Sequence, residues 1–215
     1  YQDTEQFLFS PGFIGSGDGW SSRGFYSRSV DELESLTAYL NHFRVETDQL
    51  EAQVKREIGD AWSLTFGGGY MSQHFRKMDL GAGTTMVDDG WENLALFSLL
   101  GYAPVDRFEI TLGARAEDYS DFGSPMTWTL SARHNFTEAI TLFGRLATGY
   151  APPTAGDLYG GSQTYAVDPE ESRSWEDGVT LGEEEGQQTF LVFFQTDFDN
   201  LIEWSDLDGD TIWTP

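Results

Sequence analysis

The chain has 215 residues, 36 acidic against 12 basic, a formal net charge of −24 and no cysteine. The charge argues against nucleic acid as a partner, because a phosphate backbone is held by clustered Lys and Arg; the missing cysteines exclude disulfides, thiolate metal sites and a cysteine nucleophile. With 24 Gly, 16 Phe, 9 Tyr and 7 Trp, and no apolar run near the ~18 residues of a spanning helix, the composition favours an all-β architecture.

In chain order, residues 1–32 are Gly/Ser/Asp-rich with scattered aromatics and read as a loop-rich segment, and 33–215 read as the structured part. Nine strands are expected, over 33–46, 49–58, 61–75, 92–102, 107–118, 126–136, 139–149, 173–182 and 187–198. Period-2 alternation carries them. Leu50, Ala52, Val54 and Ile58 interleave with Glu51, Gln53, Lys55 and Glu57. Trp62, Leu64, Phe66, Gly68 and Tyr70 follow, then Phe108, Ile110, Leu112, Ala114 and Ala116 against Arg107, Glu109, Thr111, Arg115 and Glu117. Met126, Trp128, Leu130 and Ala132 repeat the pattern. Each reads as a strand with one apolar and one polar face.

Two further signals separate a membrane barrel from a soluble sandwich. Most of these strands exceed the globular mode of about 5 to 6 residues and reach the roughly 9 to 11 that a tilted bilayer-crossing strand needs. From 49–58 onward the connections also alternate. Gly59-Asp60, Ala103–Asp106, Thr137-Glu138 and Glu183–Gly186 are short, whereas 76–91, 119–125, 150–172 and the stretch after Phe198 are long. Outer-membrane barrels sort their loops by end in this way. The short connection expected at Thr47-Asp48 breaks the rule. Alternation alone leaves open whether the apolar row faces a core or lipid; strand length, loop sorting and aromatics near strand ends favour lipid.

Catalytic chemistry finds little support. His42, His74 and His134 are scattered, with no Ser or Asp constellation beside them. Gly67-Gly68-Gly69 lies inside a strand pattern, which favours close backbone approach over a phosphate loop. Asp206, Asp208 and Asp210 alternate as calcium ligands do, but lack the distal Glu of an EF-hand and read more simply as a solvated acidic loop. The sequence thus names no catalytic, cofactor-binding or metal-binding residue and no cofactor. The acidity itself fits a halophilic surface, the simpler reading, or loops that gather a cationic ligand at a channel mouth.

Several ordered segments resemble the barrel of a TonB-dependent outer-membrane receptor, most of all its cobalamin-receptor branch. They are Val87-Asp88-Asp89-Gly90-Trp91, Gly113-Ala114-Arg115, and Asp118-Tyr119-Ser120-Asp121-Phe122-Gly123. Gly149-Tyr150-Ala151-Pro152-Pro153-Thr154 and Asp157-Leu158-Tyr159-Gly160 come next. Pro169-Glu170-Glu171-Ser172-Arg173-Ser174-Trp175-Glu176-Asp177-Gly178 follows, and Phe193–Ile202 ends the series. Two departures fall in the 150–172 loop. Tyr150 meets Ala151 directly where the family usually carries Arg or Lys between them, and Thr164–Asp168 replaces an Asn-Pro-x-Leu stretch.

The resemblance implies an antiparallel, up-and-down transmembrane β-barrel, present here as about nine or ten strands of a barrel of about 22. It implies binding and active import of a scarce ligand, cobalamin or an iron-siderophore, across a Gram-negative outer membrane. The implied partners are that small molecule, outer-membrane lipid, and a TonB-type energy-coupling protein acting through a plug domain absent from this chain. Loops 76–91, 119–125 and 150–172 would form the outer part of the binding site. The competing readings are a small passive porin-like or structural barrel and a soluble acidic β-protein.

Overall fold

The computed structural model describes residues 2–36, 40–159, 167–182 and 187–203. They form one antiparallel sheet in simple up-and-down order. Its strands are β1 (Gln2–Phe9), β2 (Gly12–Gly17), β3 (Trp20–Leu36), β4 (Leu40–Ile58), β5 (Trp62–Asp79) and β6 (Thr84–Val105). There follow β7 (Phe108–Tyr119), β8 (Met126–Thr137), β9 (Ile140–Ala151), β10 (Glu170–Leu181) and β11 (Thr189–Asp199), with one short helix, α1 (Ala155–Tyr159). Every strand from β3 onward pairs with the next, and β1 and β2 both lie on β3, leaving β11 and the β1/β2 strand as edges.

Residues 1–32 are corrected by this arrangement: Gln2–Phe9, Gly12–Gly17 and most of β3 lie in the sheet. β1 pairs with 28–35 and β2 with 20–25, so the two form a single strand interrupted at Ser10-Pro11. Pro11 has no N–H to give the ladder, but its carbonyl accepts a bond from the Tyr26 N–H at 3.0 Å. The Gly and Ser content hid these strands because the ladder is made by backbone groups, which Gly supplies as well as any residue. Rings cover the gaps: a Cβ on Gly24 would lie 2.5 Å from the Phe13 ring.

The expected break at Thr47-Asp48 is also corrected. β3 ends at Leu36 and β4 runs unbroken from Leu40 to Ile58, so Thr47 and Asp48 sit mid-strand. Their polarity comes from cross-strand pairing rather than a turn. Arg28 Nη1 donates to Asp48 at 2.8 Å, the Tyr26 hydroxyl donates to the same carboxylate at 2.5 Å, and Arg28 Nη2 reaches Glu46 at 2.5 Å. Leu36 pairs with Leu40, so β3 and β4 are joined at the end opposite the tight turns. Tight turns join β2–β3, β4–β5, β6–β7 and β8–β9 at one end, where Gly19 and Gly59 adopt φ of 65° and 61°, a region open to Gly at little steric cost.

The faces decide the sense of the sheet. Cross-strand register puts Leu50, Tyr70 and Leu94 on one face with Val54, Phe66 and Ser98 and with Arg56, Leu64 and Leu100. The row continues through Leu112, Leu130 and Leu146. These side chains are exposed, Phe66 by 59% and Leu94 by 56%, whereas the only buried hydrophobic residues among those described are Phe75, Ala95 and Tyr119. A soluble protein of this size would cover such a row; here it is the lipid-facing surface. Trp62 packs on Tyr102 with ring centroids 4.3 Å apart near the tight turns, and Tyr26 and Tyr70 share the same face near its other limit. Eight residue steps from Trp62 to Tyr70 measure about 27 Å along the strand, and aromatic belts mark both interfaces of such barrels.

Adjacent residues on β7 should therefore respond oppositely to charge. Leu112→Arg, on the lipid face one row in from the Trp62–Tyr102 belt, is expected to cost about 1–3 kcal/mol, and Thr111→Arg, on the inward row, less than about 1 kcal/mol. Denaturant titration in lipid vesicles measures both; equal costs would contradict the assignment of faces.

Candidate functional site

At the end opposite the tight turns, β5 and β6 do not stop at the lipid boundary. β5 continues beyond Tyr70 to Asp79, and β6 starts at Thr84 and joins the same ladder, with Asp79 opposite Thr84 and Lys77 opposite Val87. The long loop expected over 76–91 is thus a hairpin turning at 80–83. Polar residues such as Arg76 and Asp88 had read as loop; they are a cross-strand ion pair at 2.7 Å.

Two other segments fold against the inward face of this hairpin. The 120–125 loop brings Phe122 beside Trp91, centroids 6.1 Å apart and edge-on, while Trp91 also meets Tyr119 at 5.7 Å. Tyr119 in turn meets Tyr150 at 5.7 Å, and the Tyr150 hydroxyl donates to the Phe122 carbonyl. After β9, Pro152-Pro153 stops the strand and Thr154 caps α1. Thr154 N–H donates to Asp157 Oδ2 at 2.8 Å and Asp157 N–H donates to Thr154 Oγ1 at 3.3 Å, a reciprocal cap. That cap aims Tyr159 at the hairpin. Its ring stacks on Phe75 at 5.3 Å and 8°, its hydroxyl donates to Asp89, and its carbonyl accepts from Lys77 Nζ at 3.0 Å. Lys77 Nζ also lies 5.3 Å from the Phe43 ring centroid. Pro153 is fully buried.

Between these parts lies a cleft of about 170 Å³ lined by Phe75, Asp89, Trp91, Asp121, Phe122 and Tyr159, with Gly90, Ala155 and Leu158 completing it. One row down on the inward face, Asn93 Nδ2 donates to Glu117 Oε1 at 2.9 Å and Arg115 pairs with the same carboxylate at 3.1 Å. Burial and the Asp89 contact push the Tyr159 phenol above its ordinary pKa. Because the folded value is the raised one, the protonated phenol's contribution is fully present below about pH 10 and is lost as pH climbs through the higher value.

Four of the segments that suggested a receptor, distant in sequence, meet here: 87–91, 118–123, 149–154 and 157–159. Sequence reasoning missed Phe43, Phe75, Lys77, Asn93 and Glu117. Their signal was position: they are the odd-numbered, inward row continued past the lipid band. The histidines stay apart, His42 near Glu32, His74 paired with Asp88, and His134 against Phe108 and Phe136. The Phe97 ring fills the space a Cβ on Gly67 would need, where the glycine run in the sequence predicts a close approach of backbone. Among the described residues no three His, Asp or Glu side chains cluster as metal ligands; Asp206, Asp208 and Asp210 lie outside the described residues.

The docking of α1 is directly testable. Tyr159→Phe loses one hydrogen bond, about 0.5–1.5 kcal/mol, and keeps the stack on Phe75; Tyr159→Ala loses both. Hydrogen exchange of the 155–159 amides should rise slightly in the first variant and strongly in the second. Equal exchange in both would show that the stack does not hold the helix.

Comparison with known proteins agrees with this geometry. The family model described as "TonB dependent receptor-like, beta-barrel" matches residues 1–214. A vitamin B12 transporter, BtuB, from Photobacterium profundum is 24% identical over 195 residues, covering 90% of this chain and 32% of that protein. Among solved structures, the siderophore receptor PirA from Pseudomonas aeruginosa superposes with a TM-score of 0.79 at 18% identity, over 99% of this chain and 41% of that one. The alcaligin outer-membrane receptor FauA from Bordetella pertussis gives 0.72 at 16% identity, over 99% and 40%. The chain therefore spans about a third of the length of BtuB and about two fifths of the two solved receptors. An up-and-down sheet with a lipid-facing apolar row, loops sorted by end and a match over nearly its whole length place this chain in the TonB-dependent receptor β-barrel family of the outer membrane, a family of receptors rather than enzymes.

Proposed function

We propose that this chain forms part of the ligand-binding wall of a receptor that actively imports a scarce small molecule such as cobalamin or an iron-siderophore. The observation that carries the reading is the convergence of the β5–β6 hairpin, the 120–125 loop and α1 on the inward face, at the end away from the tight turns. That is where a ligand arriving from outside would first be held. The chemistry is binding and gating, with no bond made or broken. Binding energy comes from burying ligand surface against Trp91, Phe122 and Tyr159. Energy for import comes from a TonB-type partner in the inner membrane, acting through a plug domain outside this chain. The homology to BtuB and the fold of the siderophore receptors support this reading.

Transport by whole cells tests it. Disrupting the gene should abolish uptake of one labelled ligand from a panel of cobalamin and ferric siderophores, and deleting the TonB-type partner should abolish the same uptake. Trp91→Ala should raise the half-saturating concentration about tenfold, the equivalent of about 1.4 kcal/mol of binding. Uptake that survives loss of the energy-coupling partner would instead indicate a passive channel.

A further inference from the structure

The inward face at the outer end is cation-poor to a degree that constrains what it binds. In the sequence no Lys, Arg or His occurs between Lys77 and Arg107, between Arg115 and Arg133, or between Arg145 and Arg173. Those three stretches supply the hairpin's returning strand, the 120–125 loop and the whole segment that carries α1. At the height of the cleft the remaining basic side chains belong to the opposite face; lower on the inward face, Arg115 is taken up by Glu117 at 3.1 Å. Register places Arg28, Arg44, Arg76, His42 and His74 in the even-numbered row with Leu50 and Phe66, outside the barrel wall. Lys77, on the inward row, is only 4% exposed, and its ammonium is turned to the Tyr159 carbonyl and the Phe43 ring.

The cleft left by this distribution has aromatic walls, Phe75, Trp91, Phe122 and Tyr159, and two carboxylates, Asp89 and Asp121; no described residue lining it is basic. Aromatic faces attract cations through the ring quadrupole, and carboxylates supply the counter-charge. Among the described residues no cation neutralises either carboxylate: Asp89 accepts from the Tyr159 hydroxyl and Asp121 from the Ser120 hydroxyl at 2.6 Å. A further acceptor lies one row below, outside the cleft's own lining. Asn93 is 4% exposed, and its Oδ1 has no donor among the described residues. The rings, the two carboxylates and Asn93 Oδ1 all offer electron density, and the Tyr159 hydroxyl proton is already given to Asp89.

We propose that this cleft receives a positively charged organic group of the imported ligand, an ammonium-type centre, and that this part of the receptor disfavours polyanionic ligands. The inference rests on the receptor reading above and narrows its substrate class. Desolvating a polyanion against Asp89 and Asp121 with no compensating cation is costly, whereas an ammonium gains both carboxylates and the rings.

The test uses the gene's complete product, isolated from outer membranes in detergent and labelled with 5-fluorotryptophan. The Trp91 resonance is assigned by Trp91→Phe. The probes are choline, its neutral isostere 3,3-dimethylbutan-1-ol, and citrate. Choline should shift the Trp91 signal saturably, the neutral alcohol should bind at least tenfold more weakly, and citrate should leave the signal unmoved. Asp121→Asn, whose side chain makes its hydrogen bond to Ser120 rather than to α1, should weaken choline at least fivefold and leave the alcohol unchanged; Asp89→Asn should weaken it further. Equal binding of choline and the alcohol, tighter binding of citrate, or indifference to Asp121→Asn would overturn the proposal. Partner-dependent uptake that persists beside such a failure would sink the cation subsite alone, whereas choline binding without partner-dependent uptake would sink the receptor reading alone.

Discussion

Hydrogen bonding of the main chain where no water can reach it is the condition from which the rest of this structure follows. Lipid offers no partner to an N–H or a carbonyl, so each must be paired by a neighbouring strand. The ladder from β3 to β11, shifted in register only near strand ends at Lys77/Met78, Tyr102/Val105 and Asn135/Thr137, meets that demand, and among the described residues no helix is longer than α1. The same condition bears on the edges. β11 is exposed along its whole length and is apolar on both faces, with Phe190, Val192, Phe194 and Phe198 on the inward row and Leu191 and Phe193 on the outward one. An unpaired apolar edge is untenable in lipid, so the backbone groups along β11 need partners.

Once pairing is fixed, side chains have only two directions. The even row in β3 to β8 meets lipid and the odd row meets the lumen. The candidate site is that rule extended past the bilayer. Because β3 to β6 run 17 to 22 residues, their upper parts project beyond the lipid band as a rigid wall. Its outward face carries a network of ion pairs, including Arg44 with Glu32 at 2.6 Å and Arg76 with Asp88 at 2.7 Å. Its inward face carries Phe43, Phe75, Lys77, Asp89 and Trp91. Loops then dock on a surface that the ladder has already aligned, and a capped five-residue helix is enough to seat Tyr159.

How much of this could be read from the residues depended on how each strand announced itself. β7 was legible almost to the residue because Phe108, Ile110 and Leu112 alternate cleanly with charged and hydroxyl neighbours. β1 and β2 were not, since Gly12, Gly15, Gly17 and the serines of β3 erase the contrast between faces while leaving the ladder intact. Thr47-Asp48 misled for a different reason: an aspartate beside a threonine suits a turn, but here its charge is spent on Arg28 and Tyr26 across the strand. The site was visible only as separate segments. That 118–123, 149–154 and 157–159 would meet 87–91 depends on which strands neighbour one another, a long-range fact that no local pattern carries.

The central claim is that neighbouring residues of one strand face lipid and lumen in strict alternation. Single-cysteine labelling measures it directly, because these 215 residues contain no cysteine and any cysteine elsewhere in the receptor would first be replaced by serine. Single cysteines at positions 63 to 69 of β5, spin-labelled in the complete receptor reconstituted in bilayers, would be scanned for collisions with oxygen, which partitions into lipid, and with a water-soluble nickel chelate. The account predicts oxygen accessibility peaking at 64, 66 and 68, with low values at 63, 65, 67 and 69, a period of two residues. Accessibility to the nickel chelate at 64, 66 and 68, or no period of two at all, would contradict it.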